Sequence, residues 1–325
     1  MRSLTIASTA ALVLLVLFVA GCSLISIDLT PRLRPLVEQT VEGEGDAKIL
    51  LMDVQGFLAD EPPASPLQLG AAPPRVGMLV RVREELKKAA ADRQVKAVVV
   101  RINSPGGTVT ASDILFRELD QFRQTSRVPV IAVMMDVAAS GGYYVALAAD
   151  QIVAHPTTVT GSIGVLMLTL NAEGLMEKVG LSAAAIKSGE RKDMGSPFRA
   201  LTGEERTIFQ SVIDDLYRQF VAKVSERRKI PLDTARGLAD GRIYSAEQAQ
   251  ALRLVDRVGY MPDALEVARR AAGIDAARVI VYHRPREYRA TYYARSESGG
   301  GLDATVAQLS ALIGAGPKFL YLWSP

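Results

Sequence analysis

Three short apolar runs that do not alternate with polar residues, Ala47–Val54, Val95–Ile102 and Val128–Met135, restrict this chain more than any other feature. A strand that is wet on one face alternates apolar and polar side chains. A run without alternation is buried on both faces, as strands of a parallel sheet are. Between the runs lie stretches with apolar residues at helical spacing. Val76–Ala91 carries Met78, Leu79, Val82 and Leu86, and Ala111–Phe122 carries Ile114, Leu115, Leu119 and Phe122. Strand and helix in alternation predict an α/β fold, a mostly parallel sheet flanked by helices. Further strands are expected at Gln151–Ala154, Ala183–Ile186 and Arg278–Tyr282. Thr202, with Glu205 at capping-box spacing, opens a long helix running to Arg228 that Pro231 ends. Two shorter helices follow between Leu232 and Leu252, and another spans Met261–Ala272.

Composition removes several classes of function. With 38 basic and 35 acidic residues the net charge is only +3, too little for a surface that works by neutralising phosphates, so no nucleic-acid partner is expected. One cysteine rules out an intramolecular disulfide framework, and two histidines are too few for a Cys/His zinc site. Neither a metal nor a cofactor is expected, and the chemistry must come from other side chains.

The single cysteine, Cys22, closes an uncharged stretch that begins after Arg2 and ends in Val19-Ala20-Gly21. A positive start, an apolar middle and small residues at the end make a secretory signal. The ending resembles the bacterial lipobox, which implies cleavage after residue 21, lipidation of Cys22 and a stable hold on the membrane. An uncleaved anchor with a free thiol is the alternative, and both readings place the remainder outside the cytoplasm. Residues 22–46, with Pro31 and Pro35 and no sustained apolar period, read as a tether. Ala59–Pro74, rich in proline and small residues, reads as an exposed loop that could line a substrate entrance. Residues 291–325 read as a tail with a Ser/Gly link, a small amphipathic helix at Ala304–Ile313 and an apolar ending, Phe319–Trp323, that must pack on its own domain or on a neighbour.

Three segments sit just beyond strands, where open α/β sheets place their sites. Asn103-Ser104-Pro105-Gly106-Gly107-Thr108 is either a tight turn or a place where backbone N–H groups of Gly106 and Gly107 meet an oxyanion. In Asp136-Val137-Ala138-Ala139-Ser140-Gly141-Gly142, Ser140 precedes an apolar helix and is either its N-cap or an uncrowded nucleophile. In the third segment Lys187 follows Ala183-Ala184-Ala185-Ile186, so a partly apolar setting would favour its neutral form and let it act as a base. Lys192, beside Asp193, reads as a paired surface lysine. His155, beyond Gln151–Ala154, is a loop residue or a competing base, and His283, beside Arg284 and Arg286, reads as solvated.

In order and spacing, Asn103–Gly107, Asp136–Tyr144, Thr160-Gly161-Ser162-Ile163-Gly164-Val165 and Lys187-Ser188-Gly189 resemble the signal peptide peptidase A family. The resemblance spans Ala47 to Tyr282. It implies a Clp protease/crotonase-like fold built from ββα-type units, placing a peptidase domain at 47–290, and a serine endopeptidase that degrades remnant signal peptides and other hydrophobic peptides. Carried across by position, Ser140 is the nucleophile and Lys187 its base. Gly141 and the Gly106-Gly107 turn form the oxyanion hole, and Ser162 orients the lysine or is a turn residue. Arg242–Ala249 and Leu254-Val255-Asp256 resemble a structural part of the family. Met134-Met135 and His155 depart from the expected pattern. The family has long forms with two fused copies. A single copy implies a site completed by self-assembly, an octamer in relatives of this length. A Ser140–His155 protease, a non-enzymatic envelope scaffold and, less favoured for an exported chain, an acyl-CoA enzyme of crotonase type are the alternatives. The expected location is the bacterial envelope, lipid-anchored and facing the periplasm or exterior, with the inner membrane favoured; Ser23 after the cysteine leaves outer-membrane sorting open.

Overall fold

In the computed structural model, which describes residues 35–60, 76–284, 292 and 318–323, the three apolar runs form the middle of one sheet. The chain runs β1 (Val37–Glu42), β2 (Lys48–Gln55), α1 (Met78–Ala91), β3 (Val95–Ser104), β4 (Gly106–Thr108), α2 (Val109–Ser126), β5 (Val130–Ala139), α3 (Gly141–Ala146), β6 (Gln151–Ala154), β7 (Val159–Gly161) and β8 (Leu166–Leu168). It continues through α4 (Glu173–Lys178), α5 (Gly203–Arg228), α6 (Leu232–Leu238), β9 (Ile243–Ser245), α7 (Ala246–Ala251), β10 (Arg257–Val258), α8 (Met261–Ala272), β11 (Arg278–His283) and β12 (Lys318–Leu322).

The main sheet has the order β1-β11-β2-β3-β5-β6-β10, with β7 paired to β5 and β9 to β7. From β11 to β10 every pairing is parallel; β1 joins β11, and β9 joins β7, antiparallel. Burial on both faces follows from the helices. Leu50, Met52, Val98, Val100, Ala132 and Met134 pack with α1, α2 and α3, whereas Ile49, Leu51, Ala97, Val99, Ile131 and Val133 pack under α8. Each fully buried aliphatic side chain contributes about 2 kcal/mol. The fold is therefore mixed α/β with a mostly parallel sheet, and β3, β4 and α2 make one ββα unit.

Two charges inside the apolar runs, Asp53 and Arg101, are opposite one another in the β2–β3 register and form a buried ion pair at 2.7 Å. Arg101 also donates to the carbonyl of Tyr292, and Arg81 donates to the carbonyl of Asp53 at 2.5 Å. A buried charge persists only when matched, so the pair ties the register of the two central strands to its own integrity.

Several expectations change. Residues 37–42, inside the expected tether, form an edge strand; their half-exposed alternation suits a position wet on one side. Ala183–Ile186 is not a strand: residues 181–187 have no regular structure and are exposed, because among the described residues no strand offers them a ladder. The apolar C-terminal ending packs on its own domain as β12, between β4 and β8. Cys22, most of the 59–74 loop and the expected helix at 304–313 lie outside the described residues. Among those described, no helix is long and apolar enough to cross a membrane.

Candidate active site

The C-terminal ends of β3 and β5 deliver two loops to one place. Asn103 clips them together: its side-chain oxygen accepts from the N–H of Val137 at 3.1 Å and its amide donates to Asp136 at 3.2 Å. The sequence pattern leaves the Asn103–Thr108 segment as a tight turn or an oxyanion site and gives the Asn103 side chain no role of its own; an Asn directly before Ser-Pro-Gly-Gly is the signal for it.

Ser140 stands at the N-cap of α3 but does not cap it: its hydroxyl makes no capping hydrogen bond. Its backbone lies at φ 51 and ψ −114, a sparsely populated region that costs about 1–3 kcal/mol and persists where surroundings over-determine it. They do so through two backbone bonds. The Ser140 N–H donates to the Gly161 carbonyl at 2.8 Å, and its own carbonyl accepts from Tyr144 at 2.9 Å. The residue is 1% exposed. Ser140 thus holds the N-cap position without capping the helix, on a strained turn from strand to helix, an arrangement that can present a hydroxyl as a nucleophile.

Around it the backbone is packed too closely for side chains. A Cβ on Gly141 would strike the Ser112 hydroxyl and lie 3.1 Å from the Cα of Gly106. Gly106 has φ +105, and a Cβ there would lie 2.8 Å from the Gly141 nitrogen and overlap the carbonyl oxygen of Tyr321. Ser140, Gly141, Gly106 and Gly107 are therefore brought together. The N–H of Gly106 is engaged, donating to Ser104 Oγ at 3.1 Å, while that hydroxyl donates to the Gly56 carbonyl at 2.6 Å. Ser162, at φ 48, follows the Gly161 that holds Ser140, and its own N–H donates to the Arg242 carbonyl at 2.8 Å.

Lys187 makes its bonds to other partners. Its ammonium donates to the Glu190 carbonyl at 2.8 Å and to Asp193 at 2.7 Å, on an exposed arm, and none of these bonds reaches Ser140. Among the described residues nothing supplies the partly apolar shelter expected for it: Ile186 beside it is 105% exposed. Nor is Lys192 the partner of Asp193. That carboxylate is shared by Lys187 and Arg199, and chiefly Arg199, then Lys187, holds it well below the usual carboxylate range. His155 bonds Thr157 at 2.8 Å and meets the ring of Tyr260 edge-on, with no bond to Ser140. Among the described residues no cluster of His, Cys, Asp or Glu could hold a metal.

Known proteins are similar to this chain. The signature described as Peptidase family S49 matches residues 122–275, which include Ser140 and Lys187. A protein of Enterococcus faecium named as the signal peptide peptidase SppA is 35% identical over 248 residues, 76% of this chain and 70% of that one. The chain belongs to peptidase family S49. A Synechocystis protein named as a protease is 42% identical over 192 residues, 59% of this chain and 69% of that relative. Among solved structures, a point mutant of ClpP1 from Listeria monocytogenes is similar with a TM-score of 0.42 and 15% identity, over 66% of this chain and 94% of that one. As an S49 member the chain is a serine peptidase, and the loops around Ser140 lie within or beside the matched segment.

Proposed function

We propose that this S49 peptidase cuts extended hydrophobic peptides, cleaved signal peptides among them, with Ser140 as nucleophile and Lys187 as base. The observation that carries the reading is the strained, buried Ser140 whose hydroxyl is not used as a helix cap. In the reaction Ser140 Oγ bonds to the peptide carbonyl carbon while the neutral amine of Lys187 takes the hydroxyl proton. Lys187 then gives that proton to the departing amine, and water releases the acyl group from Ser140. The N–H of Gly141 and one N–H of the Gly106-Gly107 turn face the developing oxyanion. One such donor is worth about 3 kcal/mol in catalysis. Ser162, beside the Gly161 that fixes Ser140, orients the lysine.

Lys187 comes from a second copy of the chain. Its own arm carries Leu175, Val179, Leu181, Ile186 and Phe198 to solvent, each more than half exposed. So many apolar side chains on one arm favour a protein contact, and burial there would shelter the amine and favour its neutral form. The site is then shared between neighbours in a homo-oligomer, an octamer in the proposed assembly. Lipidation at Cys22 tethers it to the envelope membrane, with the peptidase outside the cytoplasm.

Ser140→Ala and Lys187→Ala should each abolish cleavage of a hydrophobic peptide, and mixing the two inactive proteins should restore part of it. Labelling by a fluorophosphonate should map to Ser140, whereas a scaffold would take no label. Full activity in Lys187→Ala with loss in His155→Ala would overturn the lysine. Mass spectrometry of the mature N-terminus tests the lipid on Cys22.

A further inference from the structure

Strand β5 does not run straight to Ser140. Along β3 its register is Ile102 opposite Met134 and then Ser104 opposite Ala138, so Met135, Asp136 and Val137 together face the single Asn103. On its other side β5 pairs with β6 as far as Met134 and with β7 from Val137 onward. Met135 and Asp136 therefore fall between ladders on both sides, and the strand carries a bulge just ahead of the nucleophile. Bulges bend a strand and re-aim the side chains beyond them. Each strand residue advances about 3.3 Å, so flattening two extra residues out of β5 would carry Ser140 about 6.6 Å along the sheet.

A bulge takes backbone groups out of their ladder, and other partners must replace it. The side-chain oxygen of Asn103 accepts from the Val137 N–H. The carbonyl of Met135 is met by Thr158, whose hydroxyl lies 2.5 Å from it. The same hydroxyl lies 3.0 Å from the Met134 carbonyl. That second oxygen already accepts from the His155 N–H at 3.0 Å, so the Met135 carbonyl is the one that depends on Thr158. Thr158 is 1% exposed and directly precedes β7. Further along, the Thr160 hydroxyl donates to the Ala138 carbonyl at 2.6 Å, and the Gly161 carbonyl accepts from the Ser140 N–H at 2.8 Å. One short segment thus grips β5 at the bulge, beyond it and at the nucleophile itself.

We propose that Thr158 is a positioning residue for catalysis: its hydroxyl pins the Met135–Val137 bulge and so sets where Ser140 stands. This rests on Ser140 being the nucleophile. Thr158 acts through the backbone of β5, whereas the glycine turn that meets the peptide carbonyl lies beyond β3. Loss of the pin therefore slows the chemistry and spares binding.

The test uses the full chain, one hydrophobic peptide and the rate of fluorophosphonate labelling at Ser140. Thr158→Val keeps the shape of the side chain and removes the hydroxyl, whereas Thr158→Ser keeps the hydroxyl. A displacement of about 1 Å at reacting groups costs on the order of 100-fold, so a shift of part of that should lower kcat and labelling together by about tenfold. KM should stay, and Thr158→Ser should return both rates to near their original values. Thr158→Val combined with Asn103→Ala should lose less than the product of the two separate losses, because side chains that hold one backbone feature are coupled. Should Thr158→Val not fold, Thr158→Cys, whose thiol is a weak donor, is judged by the same readings. Lower thermal stability with unchanged kcat and labelling would make the hydroxyl structural only and overturn the proposal. A change confined to KM, or independent losses in the double variant, would overturn it too. In each of these cases labelling of the parent at Ser140 leaves the nucleophile standing. A parent that neither cuts nor labels overturns pin and nucleophile together.

Discussion

The two halves of the proposed dyad sit in opposite surroundings. Ser140 is held by backbone bonds from β7 and α3, sealed between glycine faces, and almost fully buried. Lys187 is on an arm with no regular structure over residues 181–187, its ammonium held by a carboxylate and a carbonyl, its apolar neighbours in solvent. The contrast teaches that one chain can by its own packing stabilise a strained turn such as that at Ser140. A lysine that must lose its charge needs apolar cover, which the described residues of a single copy do not supply.

The largest effect expected on the serine side comes from Gly141→Ala. Its Cβ would meet the Ser112 hydroxyl and crowd Gly106, so the turn must shift. A displacement of about 1 Å at reacting groups costs on the order of 100-fold in rate. Peptide cleavage and fluorophosphonate labelling should fall together while circular dichroism stays native. Labelling at the normal rate would show that the seal around Ser140 is not what positions it.

On the lysine side, Ile186→Asp should leave thermal stability within about 0.5 kcal/mol, as surface changes do, because Ile186 is fully exposed. Activity should nevertheless fall about tenfold or more at low protein concentration, alongside a smaller mass by light scattering. Native mass with native activity would remove the arm from the subunit contact and leave the contrast unexplained. Asn103→Ala is milder. Losing the bond from Val137 should cost about 1 kcal/mol and lower kcat several-fold with KM kept. A change in KM alone would make Asn103 part of the peptide cleft rather than a clip between loops.

The sequence was legible where a single physical rule governed. Helix α8 begins and ends where the pattern predicts because its apolar stripe, its proline in the first turn and Gly273 agree. The capping box of Thr202 and Glu205 is present with both of its bonds. The Ser140 turn was legible as a place but not as a conformation, since a serine before two glycines suits a cap as well as a strained turn; only the unused hydroxyl separates them. The arm was misread because Ala-Ala-Ala-Ile looks the same whether a partner strand exists or not, and strand formation depends on that partner. The pairing of Asp193 with Lys187 and Arg199 rather than Lys192 depends on how the arm folds back, which no local pattern encodes. The strand β12 was legible as a segment needing cover, but its position between β4 and β8 is set by distant residues.

The smallest effect tests what holds the arm. Arg199 bridges Asp193 and Glu205, and chiefly this guanidinium, then the Thr202 N–H, lowers Glu205 to about 2. Both carboxylates lie below their ordinary values when folded, so the stability they lend is complete above about pH 4.5 and is lost as pH falls towards 2. Amide exchange over residues 187–205 should quicken only a few-fold across that window, since ion pairs whose cation is partly exposed, as Arg199 is, are weak, while β2, β3 and β5 keep their protection. Arg199→Gln should give the fast exchange at neutral pH and flatten the dependence. If the arm exchanges equally at pH 6 and pH 3 in both proteins, the ion pairs do not order it. The contact between copies would then have to order Lys187 as well as shelter it.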